Sequence, residues 1–179
     1  MTWKNEWRLS KKWGYVSSAA LIPYAVIKML WANGIIFLAS GKGIAELHAS
    51  MKTENDPISR FFYSYGIDVT AVLALIASLL ALALVRDWRS NRLRWVLIAA
   101  AGLGGSVFVT ICLITFYKLV AGSIRFSDFP EFDPWVLLPV YGGFLVWGVA
   151  ICMAALSCSI RTYRRTHQNG YDAKTPTVR

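Results

Sequence analysis

The sequence predicts an all-α fold, an integral membrane four-helix bundle with both termini cytoplasmic. Three observations predict it. First, 56% of the 179 residues are hydrophobic and only 16% are charged, giving a mean hydropathy of +0.45. Soluble domains usually hold about 45–50% apolar and about 25% charged residues, and the surplus is too large for one compact core. Second, the apolar residues fall into four long runs, each matching the roughly 17–25 residues a spanning helix needs. Third, the charges separate by sign between the connections. This composition excludes an ordinary soluble enzyme, a disulfide-stapled secreted domain (three cysteines) and a disordered chain.

The first run extends from about Gly14 to Ala39, interrupted by Lys28. It is too long for a signal peptide, contains Lys28 and Pro23, and lacks a small-residue cleavage site, so it reads as a retained helix. Ile67 to Val85 forms the second run, almost pure Ala, Leu, Val and Ile after Asp68. The third spans Trp95 to Tyr117 around a small-residue centre, and the fourth Trp135 to Ile160. Lipid offers backbone groups no water, and no run alternates with period two, so each is expected to be a helix. Residues 1–13 then form a basic N-terminal segment, 14–165 the membrane domain and 166–179 a polar, irregular tail containing Gly170 and Pro176.

Charge sets the orientation. Lys4, Arg8, Lys11 and Lys12 precede the first run, Arg86, Arg89, Arg92 and Arg94 follow the second, and Arg161, Arg164, Arg165, Lys174 and Arg179 follow the fourth. These are thirteen of the 19 basic residues, against only Glu6, Asp87 and Asp172 among the 10 acids. The other seven acids, including Asp68, Asp128, Glu131 and Asp133, sit on the two longer connections. The positive-inside rule places the termini in the cytoplasm of a cell-membrane protein and the acidic connections outside. Arginines beside anionic inner-leaflet lipids, worth about 1 kcal/mol each near the surface, explain the net charge of +9 without nucleic acid.

Lys28 is the most informative residue. In a helix running to Ala39 it lies near mid-membrane, where a lysine costs about 2.5–3.5 kcal/mol. Tyr24 and Trp31 share its helix face, Pro23 is expected to kink the helix, and Asn33 and Gly34 follow toward the outer end. Lys28, Tyr24, Trp31 and Asn33, with Asp68 at the outer mouth and Tyr141 on the fourth span, form the candidate ligand-binding set. The competing reading is a structural lysine that snorkels or bonds neighbouring oxygens. No acid shares its expected depth, and Asp68 is within reach only if Lys28 extends outward.

Small residues four apart allow close helix packing. Gly102, Gly105 and Ser106 on the third span, with Gly143 and Gly148 on the fourth, are the candidates. Pro23/Trp31 and Pro139/Trp147 share a spacing of eight, a faint trace of inverted repetition. Cys112, Cys152 and Cys158 lack a C-x-x-C arrangement and read as buried thiols.

The first outer connection carries Ile44, Leu47 and Met51 at helical spacing, predicting a short amphipathic helix on the membrane, followed by an aromatic belt of Phe61, Phe62, Tyr63 and Tyr65. His48 and the neighbouring acids do not share one face, so no metal site is predicted. Phe126, Phe129, Phe132 and Trp135 recur every three residues in the second outer connection, with Asp128, Glu131 and Asp133 between them. They read as a membrane anchor, or as an acidic mouth gathering cations.

The string from Pro23 to Gly34 (PYAVIKMLWANG) is similar to a motif of small, uncharacterised four-span membrane proteins of Gram-positive bacteria: a proline-tyrosine-alanine start, a basic residue, then tryptophan and glycine. Trp147-Gly148 and Tyr163-Arg164-Arg165 resemble the ends of those chains. The resemblance covers the first and fourth spans. It implies a four-helix membrane protein in which Lys28 belongs to a recurring pattern, and it implies no activity.

Three functions fit these residues. The first is binding of a polar or anionic small molecule, ion or lipid within the bundle, in transport or resistance. An accessory or immunity-type protein, docking its helices on a membrane partner or a second copy, is the next. The third is a small membrane enzyme using Lys28, Tyr24 and loop acids. No cofactor motif is present.

Overall fold

The computed structural model describes residues 11–53, 56–86, 90–125 and 132–172, the side chains of 52, 53 and 164–172 excepted. Asp128, Glu131, Glu54, Lys4 and Arg8 lie outside them. The described residues are all-α. Helices α1 (Lys12–Ala20) and α2 (Ile22–Ala32) are followed by α3 (Gly41–Thr53), α4 (Pro57–Ser64), α5 (Val69–Val85), α6 (Asn91–Val120) and α7 (Gly143–Asp172). A 3-10 turn, Pro134–Val136, and a π turn, Leu138–Gly142, lead into α7.

Three of the described helical stretches are long and apolar enough to cross a membrane: Lys12–Ala32, Asn91–Val120 and Pro134–Tyr163. A fourth is reached if α4 and α5, bent by 95° at their junction, count as one. On these helices Leu73, Leu79, Leu103 and Val107 are all exposed.

The first run departs from a single helix to Ala39 at two places. Pro23, in the first turn of α2, supplies no N–H to the preceding turn, and the ladder breaks at Leu21. The helix then stops at Ala32. Gly34, at φ +77°, donates to the Trp31 carbonyl while Ile35 donates to that of Leu30, closing the end in a Schellman motif. Residues 35–40 are consequently a loop. Lys28 lies four residues, about 6 Å along the axis, from the end of its helix, and not at mid-span.

At its other end the second run is trimmed by Asp68, whose carboxylate accepts from Thr70 N–H and fixes the first turn of α5. Gly66, at φ +71°, makes the turn that precedes it. The last helix outruns its apolar length: α7 reaches Asp172, so the tail expected to be irregular from residue 166 begins as helix. No proline or glycine interrupts the ladder from Arg161 to Asn169.

α7 is central and touches α6, α1 and α5. The core between them is built of small side chains, Ala71, Ala74, Ala81, Ala101, Ala154 and Ala155, around Ile151 and Trp147. Close approach depends on two glycines. A Cβ at Gly105 would sit 2.9 Å from the Gly148 carbonyl oxygen, and one at Gly148 would sit 3.0 Å from that of Gly105. Gly143 lies against the Ala20 carbonyl oxygen, 3.0 Å from where its Cβ would be. Gly102 and Ser106 pack less closely: a Cβ at Gly102 would meet open space, and Ser106 is exposed and bonds back to the Gly102 carbonyl, yet both meet α7 through Cys152, whose Sγ lies 3.9 Å from Ser106 Oγ and from the Gly102 carbonyl oxygen.

Basic groups close one end of the bundle. Arg161 donates to the Leu84 carbonyl oxygen (3.4 Å) and Arg94 to Thr162 Oγ1 (3.4 Å). The connecting loops crowd the opposite end. There α3 turns its apolar face onto the protein, with Ile44 buried in a cluster with Ile27 and Trp31 and Leu47 packed against it. The amphipathic helix therefore covers the end of α2, where the sequence pattern alone pointed to the membrane surface.

Candidate functional site

At the loop-rich end, a cavity of about 470 Å³ opens between α2, α6 and the segment leading into α7. Its size falls within the roughly 300–1,000 Å³ typical of ligand pockets. α2 contributes Tyr24, Lys28 and Trp31, spaced to share one face. The opposite wall comes from α6, with Phe108, Ile111, Cys112, Thr115, Phe116 and Leu119. Phe132, Asp133, Val140, Tyr141 and Phe144 close the third side, and Ile124 and Arg125 the rim. The lining is mostly aliphatic and aromatic.

Lys28 anchors the polar side. Its Nζ lies 3.6 Å from Asp68 Oδ2, with the two side chains 17% and 3% exposed. It also stands 5.5 Å from the centre of the Trp31 ring, at cation–π range. The other Asp68 oxygen, Oδ1, accepts from Thr70 N–H (2.7 Å) and from Thr70 Oγ1, while Tyr24 O–H donates to Thr70 Oγ1 (3.0 Å). A chain of polar contacts thus runs from Tyr24 through Thr70 and Asp68 to Lys28. The absence of an acid at the depth of Lys28 was a consequence of extending the helix to Ala39. With the helix closed at Gly34, Lys28 and Asp68 stand at one level.

Trp31 is held by its edge and its backbone. Its Nε1–H donates to the Phe37 carbonyl oxygen (2.7 Å), and its own carbonyl oxygen lies 2.9 Å from His48 Nε2. His48 is thereby committed to positioning α3, with Tyr63 edge-on to its ring at 5.3 Å. The Trp31 ring packs on Phe132 (5.3 Å) and the Tyr24 ring on Phe144 (4.6 Å). Phe132 is pinned in turn by a bridge to Ala39, beside the bond from Asp133 N–H to the Leu38 carbonyl oxygen (3.1 Å).

Pro139 explains the wall contributed by the fourth stretch. It interrupts the hydrogen-bond ladder, which widens into a π turn over Leu138–Gly142 and presents Val140 and Tyr141 to the cavity. The Tyr141 carbonyl oxygen accepts from Cys112 Sγ at 3.6 Å.

Of the residues expected to bind a ligand, the structure brings Tyr24, Lys28, Trp31 and Tyr141 to the cavity wall. Asp68 stands behind Lys28. Asn33 is elsewhere: its Nδ2 donates to the Met29 (2.7 Å) and Gly66 (3.1 Å) carbonyl oxygens, tying α2 to the turn before α5. Asp133 also reaches the wall, where its carboxylate caps the 3-10 turn by accepting from Trp135 N–H (3.0 Å). Arg125, Thr115 and Phe116 were not singled out by the sequence. Phe116 and Thr115 carry no signal there beyond belonging to an apolar run, but Arg125 could have been found as a basic residue on an otherwise acidic connection. Among the described residues, no group of three His, Cys, Asp or Glu side chains is placed to hold a metal ion.

Fold and site together define, over the described residues, an all-α protein with three or four helices of membrane-crossing length and a largely apolar cavity bearing the Lys28–Asp68 ion pair at its loop-rich end. No protein-family model, curated protein or solved structure matches the chain.

Proposed function

We propose that the protein is a four-span cell-membrane protein that binds a small, mainly apolar molecule with a polar or anionic group in this cavity, in transport or resistance. The observation that carries the reading is the Lys28 ammonium lining a cavity of about 470 Å³ that is otherwise chiefly hydrocarbon and aromatic. A cation in such a setting fixes the orientation of a ligand whose bulk is held by the apolar walls. The termini face the cytoplasm in this reading, supported by the sorting of charges and by the gathering of Arg94 and Arg161 at the end remote from the cavity.

Two measurements test it. Organic extracts of the purified protein, analysed by mass spectrometry, should contain a bound amphiphile that is lost in Ile111→Trp, where an indole fills the cavity from α6. Lys42→Cys should react with an impermeant maleimide on intact cells, and Lys11→Cys only after permeabilisation. An extract free of bound molecules, together with no saturable binding of any amphiphile, overturns the cavity reading. Reversed labelling overturns the orientation.

One observation favours a second reading, docking on a membrane partner or a second copy. The face of α6 bearing Leu103 and Val107 is open, the two being 72% and 55% exposed. Cysteine cross-linking through Leu103→Cys in membranes tests it: a specific cross-linked species supports docking, and monomer alone counts against it.

A further inference from the structure

The cavity chemistry narrows the ligand beyond the reading above, on which this step rests. Lys28 Nζ carries three N–H donors. Among the described residues its one ionic partner is Asp68, at 3.6 Å, longer than a direct hydrogen bond. The Asp68 carboxylate is itself enclosed, with Oδ1 taken by Thr70 and Oδ2 making no hydrogen bond. A ligand that fills the cavity displaces water from the ammonium. An aliphatic or alcohol head would leave a charged donor without an acceptor of matching strength, and such groups are costly to desolvate. A cationic head would meet the Lys28 ammonium in the same lining. The Asp133 carboxylate in the wall already serves as an acceptor for Trp135 N–H. An oxyanion, by contrast, accepts a charge-assisted bond from Lys28 without displacing Asp68.

Size sets the rest of the molecule. About 470 Å³ is on the order of fifteen water-sized groups at about 30 Å³ each, enough for one chain of about a dozen carbons and a small head. Ile111, on the α6 wall, lines the cavity and is 48% exposed, so α6 offers open apolar surface along which a chain can lie. We infer that the cavity takes a single-chain amphiphile with an oxyanion head, carboxylate or phosphate, seated at Lys28 with its chain along α6.

The test uses the full-length protein in a neutral detergent near pH 8, where a carboxylate head is ionised. Binding of laurate, dodecyl phosphate, dodecanol and dodecyltrimethylammonium is compared by native mass spectrometry and calorimetry. The expected result is saturable binding of laurate or dodecyl phosphate at least tenfold tighter than the alcohol or the ammonium, and whichever of the two is tighter names the head group. Lys28→Met should remove that preference, bringing laurate and dodecyl phosphate to within about twofold of dodecanol. Should that variant fail to fold, Lys28→Met/Asp68→Asn, which removes both charges, carries the same expectation, and Ile111→Trp should weaken all four probes. Equal affinity for the four heads overturns the inference while leaving a cavity that binds amphiphiles. Saturable binding of none overturns both.

Discussion

Replacing Lys28 by methionine removes one half of a buried ion pair. The Nζ–Oδ2 separation is 3.6 Å, which gives an attraction of roughly 4–5 kcal/mol at an effective dielectric constant of about 20. Asp68 is the more enclosed partner, at 2% exposure, so the variant strands a carboxylate. Breaking one side of a buried pair costs about 3–5 kcal/mol. Asp68→Asn is gentler for two reasons. Asparagine caps a helix about as well as aspartate, preserving the bond from Thr70 N–H, and the stranded ammonium is turned to the cavity. The double variant Lys28→Met/Asp68→Asn leaves no charge behind and should recover most of the loss, so the cycle is strongly non-additive, by about 2–4 kcal/mol. Unfolding in mixed micelles, followed by far-ultraviolet dichroism, measures all four proteins. If both single variants fall within about 0.5 kcal/mol of the parent, or if their losses simply add, the pair is not coupled as the geometry implies.

Further outcomes follow from other parts of the fold. Gly102→Ala should be neutral or stabilising by up to about 1 kcal/mol, since alanine is the better helix former and its methyl meets open space. Gly105→Ala should destabilise by about 1–3 kcal/mol, as the methyl would press on Cys152, Ile151 and the Gly148 carbonyl; thermal melts in detergent rank the two. Asn33→Ala loses both bonds of the side chain, to Met29 and Gly66. At about 0.5–1.5 kcal/mol per bond, it should loosen the junction of α2 with α5, seen as faster hydrogen exchange at Ile67 and Thr70. The carboxyl of Asp56 is held below its ordinary value by the hydroxyl of Ser59 and by the N–H groups of Ile58 and Ser59. A depressed folded value means that the ionised form stabilises the start of α4 above the unfolded pKa, and that this is lost as pH falls through the folded value. Carbon-13 titration should therefore place Asp56 below a model aspartate, and Ser59→Ala should move it upward.

The four apolar runs and their charge segregation are one-dimensional signals; helices of membrane-crossing length stand where three of those runs lie, and the bent pair α4–α5 stands at the other. Lys28, Tyr24 and Trp31 were legible as one face because helical spacing fixes which side chains neighbour one another. Their partner was not, because it depends on where α2 ends. Asn33-Gly34 is a C-terminal stop signal, but hydrophobic Ile35, Ile36 and Phe37 follow it and masked the stop. The amphipathic pattern of α3 was legible and its destination was not, since a membrane surface and the end of α2 bury Ile44 equally well. Phe116 and Thr115 were silent for a similar reason. Residues in a long apolar run acquire different roles only when a neighbour stands back, and here the π turn at Pro139 opens the space they line.

A purely structural role for Lys28 would be met most cheaply by closing the pair. An ammonium kept only to neutralise Asp68 would be expected at direct hydrogen-bond distance and packed over by side chains, since a lysine in a largely apolar setting is costly unless fully satisfied. Instead the contact is 3.6 Å, the lysine side chain keeps 17% exposure against 3% for the acid, and it lines the cavity. Asp68 has its own duty as the cap of α5 and is shielded by Thr70 and Tyr24. The arrangement holds a lysine at the cavity with its charge partly balanced from behind and donors left for what enters in front. That division of labour is what the proposed binding role asks of Lys28, and the head-group comparison tests it directly.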